Sequence, residues 1–133
     1  MHLVAHTDGA SRGNPGESGI GVVLRTPSGQ PVAEFCGYLG RSTNNRAEYA
    51  ALLACLHLAV RHGCTRLTVY SDSELCVKTV NEWAAGWEQR SWRRKTGPIA
   101  NLPLVQALWA EVKRHPKARL RWIRAHDGSR WNE

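Results

Sequence analysis

The sequence predicts an α/β protein built on a five-stranded mixed sheet, and three observations predict it. Three runs of strand-forming residues, at 2–7, 20–24 and about 32–39, are joined by short turns, as in an antiparallel meander. A long helical pattern then separates this meander from a fourth strand-like run, a connection that lets the fourth strand lie parallel to the first. Two further helical stretches precede a last strand. The order β-β-β-α-β-α-α-β suits strands four and five parallel to strand one, with helices on both faces.

Each element has its own local reason. His-Leu-Val-Ala-His-Thr at 2–7 reads as the first strand, and Gly9 to Ser18, with Gly13-Asn14-Pro15-Gly16, as a turn-rich loop. Ile20 to Leu24 is the second strand, Thr26-Pro27-Ser28-Gly29 a turn, and about Val32 to Leu39 the third. Asn44 or Asn45 is expected to cap a helix that runs to about His62 and stops at Gly63. Tyr49, Leu52, Leu53, Leu56 and Val60 would form its apolar side, with Arg46, Ala50, Ala54, His57 and Arg61 as a small or polar stripe. Leu67 to Ser71 is the fourth strand, and a helical segment from about Glu74 to Gly86 leads into a basic loop with Pro98. A helix over about Leu102 to Arg114 is broken by Pro116, and Leu120 to Arg124 is the fifth strand.

The 133 residues suit one domain, with no repeat, low-complexity tract or linker to divide them. Apolar residues make up 42% and charged residues 22%, which excludes a disordered chain. No apolar run nears the roughly 20 residues needed to cross a bilayer. Met1-His2-Leu3-Val4 lacks the features of a signal peptide, so a cytoplasmic location is expected. Cys36, Cys55, Cys64 and Cys76 form no C-x-x-C pair and read as reduced thiols, Cys55 within the core. Nothing asks for an oligomer or an obligate protein partner, and a monomer is expected.

The net charge of +7 is one-sided. Residues 78–124 hold eleven Lys/Arg against three acids, or +8, while the remainder of the chain sums to −1. Such asymmetry is expected of a protein that grips a polyanion on one side, and nucleic acid is the favoured partner.

Three carboxylates carry the chemistry. Asp8 and Asp72 are each expected to end a strand, and adjacent parallel strands lie about 4.8 Å apart, close enough for their carboxylates to share ions. Glu48 shares a helical face with Leu52, Cys55 and Ala59, where an unpaired carboxylate is costly. Any one of these acids reads equally well as a cap, a turn residue or a surface charge. Three facing one point repel unless a cation joins them. Two Mg²⁺ ions roughly 4 Å apart would activate a water and stabilise a leaving 3′ oxygen during in-line attack on phosphorus. Mn²⁺ is a substitute, and no Ser-His or Cys-His arrangement offers an alternative nucleophile.

The segments Thr7-Asp8-Gly9…Asn14-Pro15-Gly16, Thr43-Asn44-Asn45-Arg46-Ala47-Glu48 and Ser71-Asp72-Ser73 together resemble the type 1 ribonuclease H family, bacterial type. The likeness continues through Trp83, Trp87 and Trp92 to Ala125-His126-Asp127-Gly128 and Asn132-Glu133, and so covers essentially the whole chain. It implies a ribonuclease H-like fold and cleavage of the RNA strand of an RNA–DNA hybrid, leaving 5′-phosphate and 3′-hydroxyl ends. It implies Asp8, Glu48 and Asp72 as metal ligands, and His126 as a loop histidine that assists proton transfer or product release. Asn14, Asn44 and Asn45 match substrate-contacting residues whose amides sense the 2′-hydroxyl, with Thr43 and Arg46 near a phosphate of the DNA strand. Residues of about 82–100 resemble the family's basic protrusion. Within it Trp83, Trp87 and Trp92 would pack or stack, and Arg90, Arg93, Arg94 and Lys95 would meet phosphates.

The resemblance breaks at its end. The family has a fourth carboxylate three residues beyond the position of Glu133, opening a final helix, so that C-terminal helix is expected to be missing. Asp127 or Glu133 would replace the fourth acid only in part. The principal expectation is therefore a metal-dependent hybrid-cleaving endonuclease. The alternatives are a non-catalytic hybrid-binding module and a two-metal nuclease acting on DNA, of the integrase or resolvase kind.

Overall fold

The computed structural model describes residues 1–124. His126, Asp127, Glu133 and any C-terminal helix lie outside the described residues. The strands are β1 (His2–Arg12), β2 (Gly16–Arg25), β3 (Pro31–Ser42), β4 (Arg66–Ser71) and β5 (Ala118–Trp122). The helices are α1 (Asn44–Arg61), α2 (Glu74–Lys78), α3 (Ala84–Gln89) and α4 (Leu102–Arg114), with a π-helical turn (Thr79–Trp83) joining α2 to α3. The sheet order is β3-β2-β1-β4-β5. β1–β2 and β2–β3 pair antiparallel, whereas β1–β4 and β4–β5 pair parallel, as the sequence predicts.

The meander strands are longer than expected. β1 and β2 stay paired out to Arg12 and Glu17, so most of the stretch read as a loop is hairpin. Local turn chemistry marks the reversal at residues 13–15 correctly, but antiparallel pairing extends both strands up to it.

Alternation along the strands separates two faces. Leu3, Ala5, Val22, Leu24, Leu67, Val69, Ala118 and Leu120 point into one core with residues of α1, α2, the π turn and α4. Among the described residues every helix that contributes to this core lies on that same face. Val4, His6, Val23, Thr68 and Tyr70, on the opposite face, are half-buried.

Two details of α1 differ from expectation. Its cap is Thr43, whose hydroxyl accepts from the Arg46 amide at 3.2 Å, rather than Asn44 or Asn45. Its buried side is Ala47, Glu48, Tyr49, Ala51, Leu52, Cys55, Leu56 and Ala59, while Val60 is 51% exposed. The small residues Ala47, Ala51, Cys55 and Ala59 share that buried side with Tyr49, Leu52 and Leu56, which shifts it away from Val60.

The expected helix over 74–86 forms but is broken by the π turn. Inside that turn the Thr79 hydroxyl donates to the Leu75 carbonyl at 2.8 Å and pairs with the Tyr49 hydroxyl at 2.8 Å. No helix among the described residues is long and apolar enough to cross a membrane.

Candidate active site

Asp8 and Asp72 occupy equivalent places on adjacent strands. The parallel β1–β4 ladder ends at the Thr7–Ser71 pair, and each aspartate is the next residue. β1 itself continues, with Asp8 paired to Gly21 of β2, so only Asp72 stands beyond its strand. Glu48 arrives from the first turns of α1. One oxygen from each of the three carboxylates lies within 4.8 Å of the others.

Glu48 is 9% exposed and is held by the Gly9 amide, which donates to its Oε1 at 2.7 Å. Burial pushes its carboxyl up to about 9, and a hydrogen bond and the charge of Asp72 push in the same direction. The Gly9 amide opposes this shift, and the charge of Asp8 adds to it. Asp72 Oδ1 is buried without a hydrogen-bond partner among the described residues. An unsatisfied oxygen of this kind, in a set of hard carboxylate donors, fits Mg²⁺ or Mn²⁺ better than a soft or nitrogen-seeking ion.

The turn carrying Asp72 is tied on several sides. The Ser73 amide donates to Ser71 Oγ at 3.1 Å, and Ser73 Oγ accepts from the Cys76 amide at 3.3 Å, capping α2. The Ile123 amide donates to the Ser71 carbonyl at 2.9 Å, and the Trp122 indole Nε1 donates to the Asp72 carbonyl at 3.2 Å. Gly9 and Ser73 belong to the motifs quoted from sequence, which assign them no role of their own, and Trp122 is not singled out there.

The asparagines join the hairpin tip to the start of α1. Asn14 Oδ1 accepts from the Asn44 amide at 3.0 Å, and Asn44 Oδ1 accepts from the Ser11 amide at 2.9 Å. With both oxygens engaged, each side chain retains its Nδ2 donors. Asn45 lines a cavity of about 420 Å³ with Tyr49, Trp83, Trp87 and Arg94. Arg46 is exposed and makes no ion pair among the described residues.

The protrusion residues divide by role. Trp83 and Trp87 meet at 5.9 Å between ring centroids, and Trp87 and Trp92 pack against the core. Arg94 lies over the Trp87 ring at 5.7 Å and donates to the Gly97 and Pro98 carbonyls. Arg90, Arg93 and Lys95 are exposed, with no ion pair among the described residues. Elsewhere in the basic segment Lys78, Lys113 and Arg114 pair with Glu74, Glu88 and Glu111.

Known proteins share this architecture. The family model described as RNase H matches residues 1–133. The ribonuclease H of Bordetella pertussis is 41% identical over 128 residues, covering 96% of this chain and 79% of the relative. That of Polaromonas naphthalenivorans is 40% identical over 135 residues, covering 100% of this chain and 81% of the relative. Among solved structures, the N-terminal RNase H domain of a Mycobacterium tuberculosis protein superposes with a TM-score of 0.75 at 34% identity, over 95% of this chain and 84% of that one. LC11-RNase H1, solved in complex with an RNA/DNA hybrid, superposes with a TM-score of 0.75 at 27% identity, over 96% of this chain and 89% of that one. With a family model matched along its length and relatives at about 40% identity, this chain belongs to the RNase H family of nucleases.

Proposed function

We propose that this protein hydrolyses the RNA strand of RNA–DNA hybrids, leaving 5′-phosphate and 3′-hydroxyl ends, with Asp8, Glu48 and Asp72 holding two Mg²⁺ ions. The convergence of the three carboxylates, together with the unsatisfied Asp72 Oδ1, carries this reading. Family membership and the hybrid-bound LC11 enzyme support the substrate. When bound, the metal supplies positive charge that acidifies the attacking water and offsets charge on the leaving 3′ oxygen.

The chain's own residues do the rest. Glu48 releases its proton as the site fills, and the Gly9 amide keeps its carboxylate turned toward the two aspartates. Asn14 and Asn44 offer Nδ2 donors to 2′-hydroxyl oxygens of the RNA strand, beside Asn45. Thr43 and Arg46, at the exposed start of α1, take a phosphate of the DNA strand. Arg90, Arg93 and Lys95 meet phosphates further along, on a protrusion braced by Trp83, Trp87, Trp92 and Arg94. His126 moves a proton or aids product release.

The test is cleavage of end-labelled RNA–DNA hybrid beside matched DNA duplex, RNA duplex and single-stranded RNA, each with Mg²⁺, Mn²⁺ or EDTA. Cutting confined to the RNA of the hybrid and abolished by EDTA is expected. Tight, salt-sensitive hybrid binding without cutting would replace an enzyme by a hybrid-binding module.

A further inference from the structure

We infer that Trp122 is a positioning residue for Asp72, its indole N–H clamping the Asp72 peptide carbonyl and thereby aiming the carboxylate. The inference rests on the reading of Asp8, Glu48 and Asp72 as metal ligands. β4 ends at Ser71 and α2 begins at Glu74, so Asp72 stands in a two-residue connection between them. Just beyond β5, the Ile123 amide donates to the Ser71 carbonyl, the last backbone hydrogen bond to this end of β4 among the described residues. The next carbonyl, that of Asp72, is met by the Trp122 side chain at 3.2 Å, across 50 positions of sequence.

The restraints that Ser73 supplies are local. Ser73 bonds to Ser71 and to Cys76, all within the segment that would swing with Asp72. Trp122 instead ties the peptide after Asp72 to a separate strand, opposite Ser71 in register. Its ring is 41% exposed, so burial accounts for only part of its place here. Freeing that carbonyl lets the 72–73 peptide rotate, and the buried Oδ1 moves relative to Glu48 and Asp8. Partners that orient metal ligands typically change metal affinity by about 10–100-fold when removed.

The test compares Trp122→Phe with Trp109→Phe. Trp109 also donates its indole N–H, to Glu88 at 3.0 Å, but on α4 and away from the carboxylates. Mn²⁺ is titrated calorimetrically into the metal-free proteins without nucleic acid, alongside denaturation midpoints. Trp122→Phe is expected to weaken Mn²⁺ binding about tenfold and to raise the Mg²⁺ needed for half-maximal cleavage by the same factor, with KM for hybrid unchanged. Trp109→Phe is expected to lose comparable stability and bind Mn²⁺ as the wild type does. If Trp122→Phe does not fold, benzothienylalanine at position 122 removes only the N–H and gives the same comparison. Wild-type Mn²⁺ affinity in a folded variant lacking the N–H overturns the clamp alone. A wild-type protein that neither binds Mn²⁺ nor cuts hybrid overturns the ligand reading, and the clamp with it.

Discussion

Gly9 and Glu48 are joined twice. The Gly9 amide donates to Glu48 Oε1 at 2.7 Å, and the bare Cα of Gly9 lets α1 lie directly on β1. A Cβ at Gly9 would stand 2.3 Å from the Ala47 carbonyl carbon and 2.6 Å from the Glu48 amide nitrogen. The glycine after Asp8 therefore sets how near the helical carboxylate comes to the strand carboxylates.

Gly9→Ala should consequently harm activity more than its small volume suggests. The methyl meets the α1 backbone rather than a flexible side chain, so α1 must move away from β1, at a cost of about 3 kcal/mol. Displacing Glu48 by the order of an ångström should lower hybrid cleavage about 100-fold. Paired measurements of denaturation midpoint and cleavage rate check this. Unchanged values of both would mean that the helix has room the geometry denies.

Stability should depend on pH in an unusual direction when metal is chelated. The Glu48 carboxyl is raised from 4.5 to about 9, chiefly by burial. Between these values the folded protein keeps a proton that the unfolded chain has released, so this group's contribution to stability falls as pH rises through that window. Excess Mg²⁺, which needs the ionised form, should offset the fall. Denaturant midpoints in EDTA across the range, with Glu48→Gln as reference, measure the effect. A wild-type slope equal to that of Glu48→Gln would remove Glu48 as its cause.

Much of this arrangement is legible in the sequence. Sheet order and strand direction follow from a meander, a helix and two later strands, because chain connectivity leaves few other topologies. The three carboxylates are legible because Asp8 and Asp72 follow strand-like runs and Glu48 lies on an apolar helical face where a charge needs a reason, although β1 in fact continues past Asp8. Gly9 is not, since Asp-Gly reads as a turn and only the structure reveals a strand glycine under a helix. The Trp122–Asp72 bond is not, since it joins residues 50 positions apart without any periodic pattern. The Thr43 cap is hidden beside two asparagines that could cap equally well, of which Asn44 gives its Oδ1 to the Ser11 amide of the hairpin instead.

The protrusion should separate charge from scaffolding. Arg93→Ala and Lys95→Ala remove exposed cations that support nothing else among the described residues. Each should make the log–log salt dependence of hybrid affinity shallower by about 0.9, with the denaturation midpoint unchanged. Arg94→Ala should in addition lower that midpoint, because its guanidinium holds the Gly97 and Pro98 carbonyls and covers Trp87. Salt titrations of binding beside thermal melts distinguish the two outcomes. Equal melting losses in all three variants would refute the division.

Asp8→Asn and Asp72→Asn should both abolish cleavage and retain hybrid binding, yet differ in what they do to the metal-free protein. Asp72 raises the Glu48 carboxyl through a hydrogen bond and through its charge, whereas Asp8 acts through charge alone and more weakly. Neutralising either aspartate removes repulsion from Glu48 once it is ionised, so in EDTA near pH 10, above the raised Glu48 value, both variants should be more stable than the wild type. The gain should be larger for Asp72→Asn, whose amide can also donate to the ionised Glu48. Denaturation in EDTA and in Mg²⁺ makes the comparison. In EDTA the order should run Asp72→Asn, Asp8→Asn, wild type, and Mg²⁺ should stabilise the wild type most. A wild type that is the most stable of the three in EDTA would mean that the carboxylates do not repel one another as their placement requires.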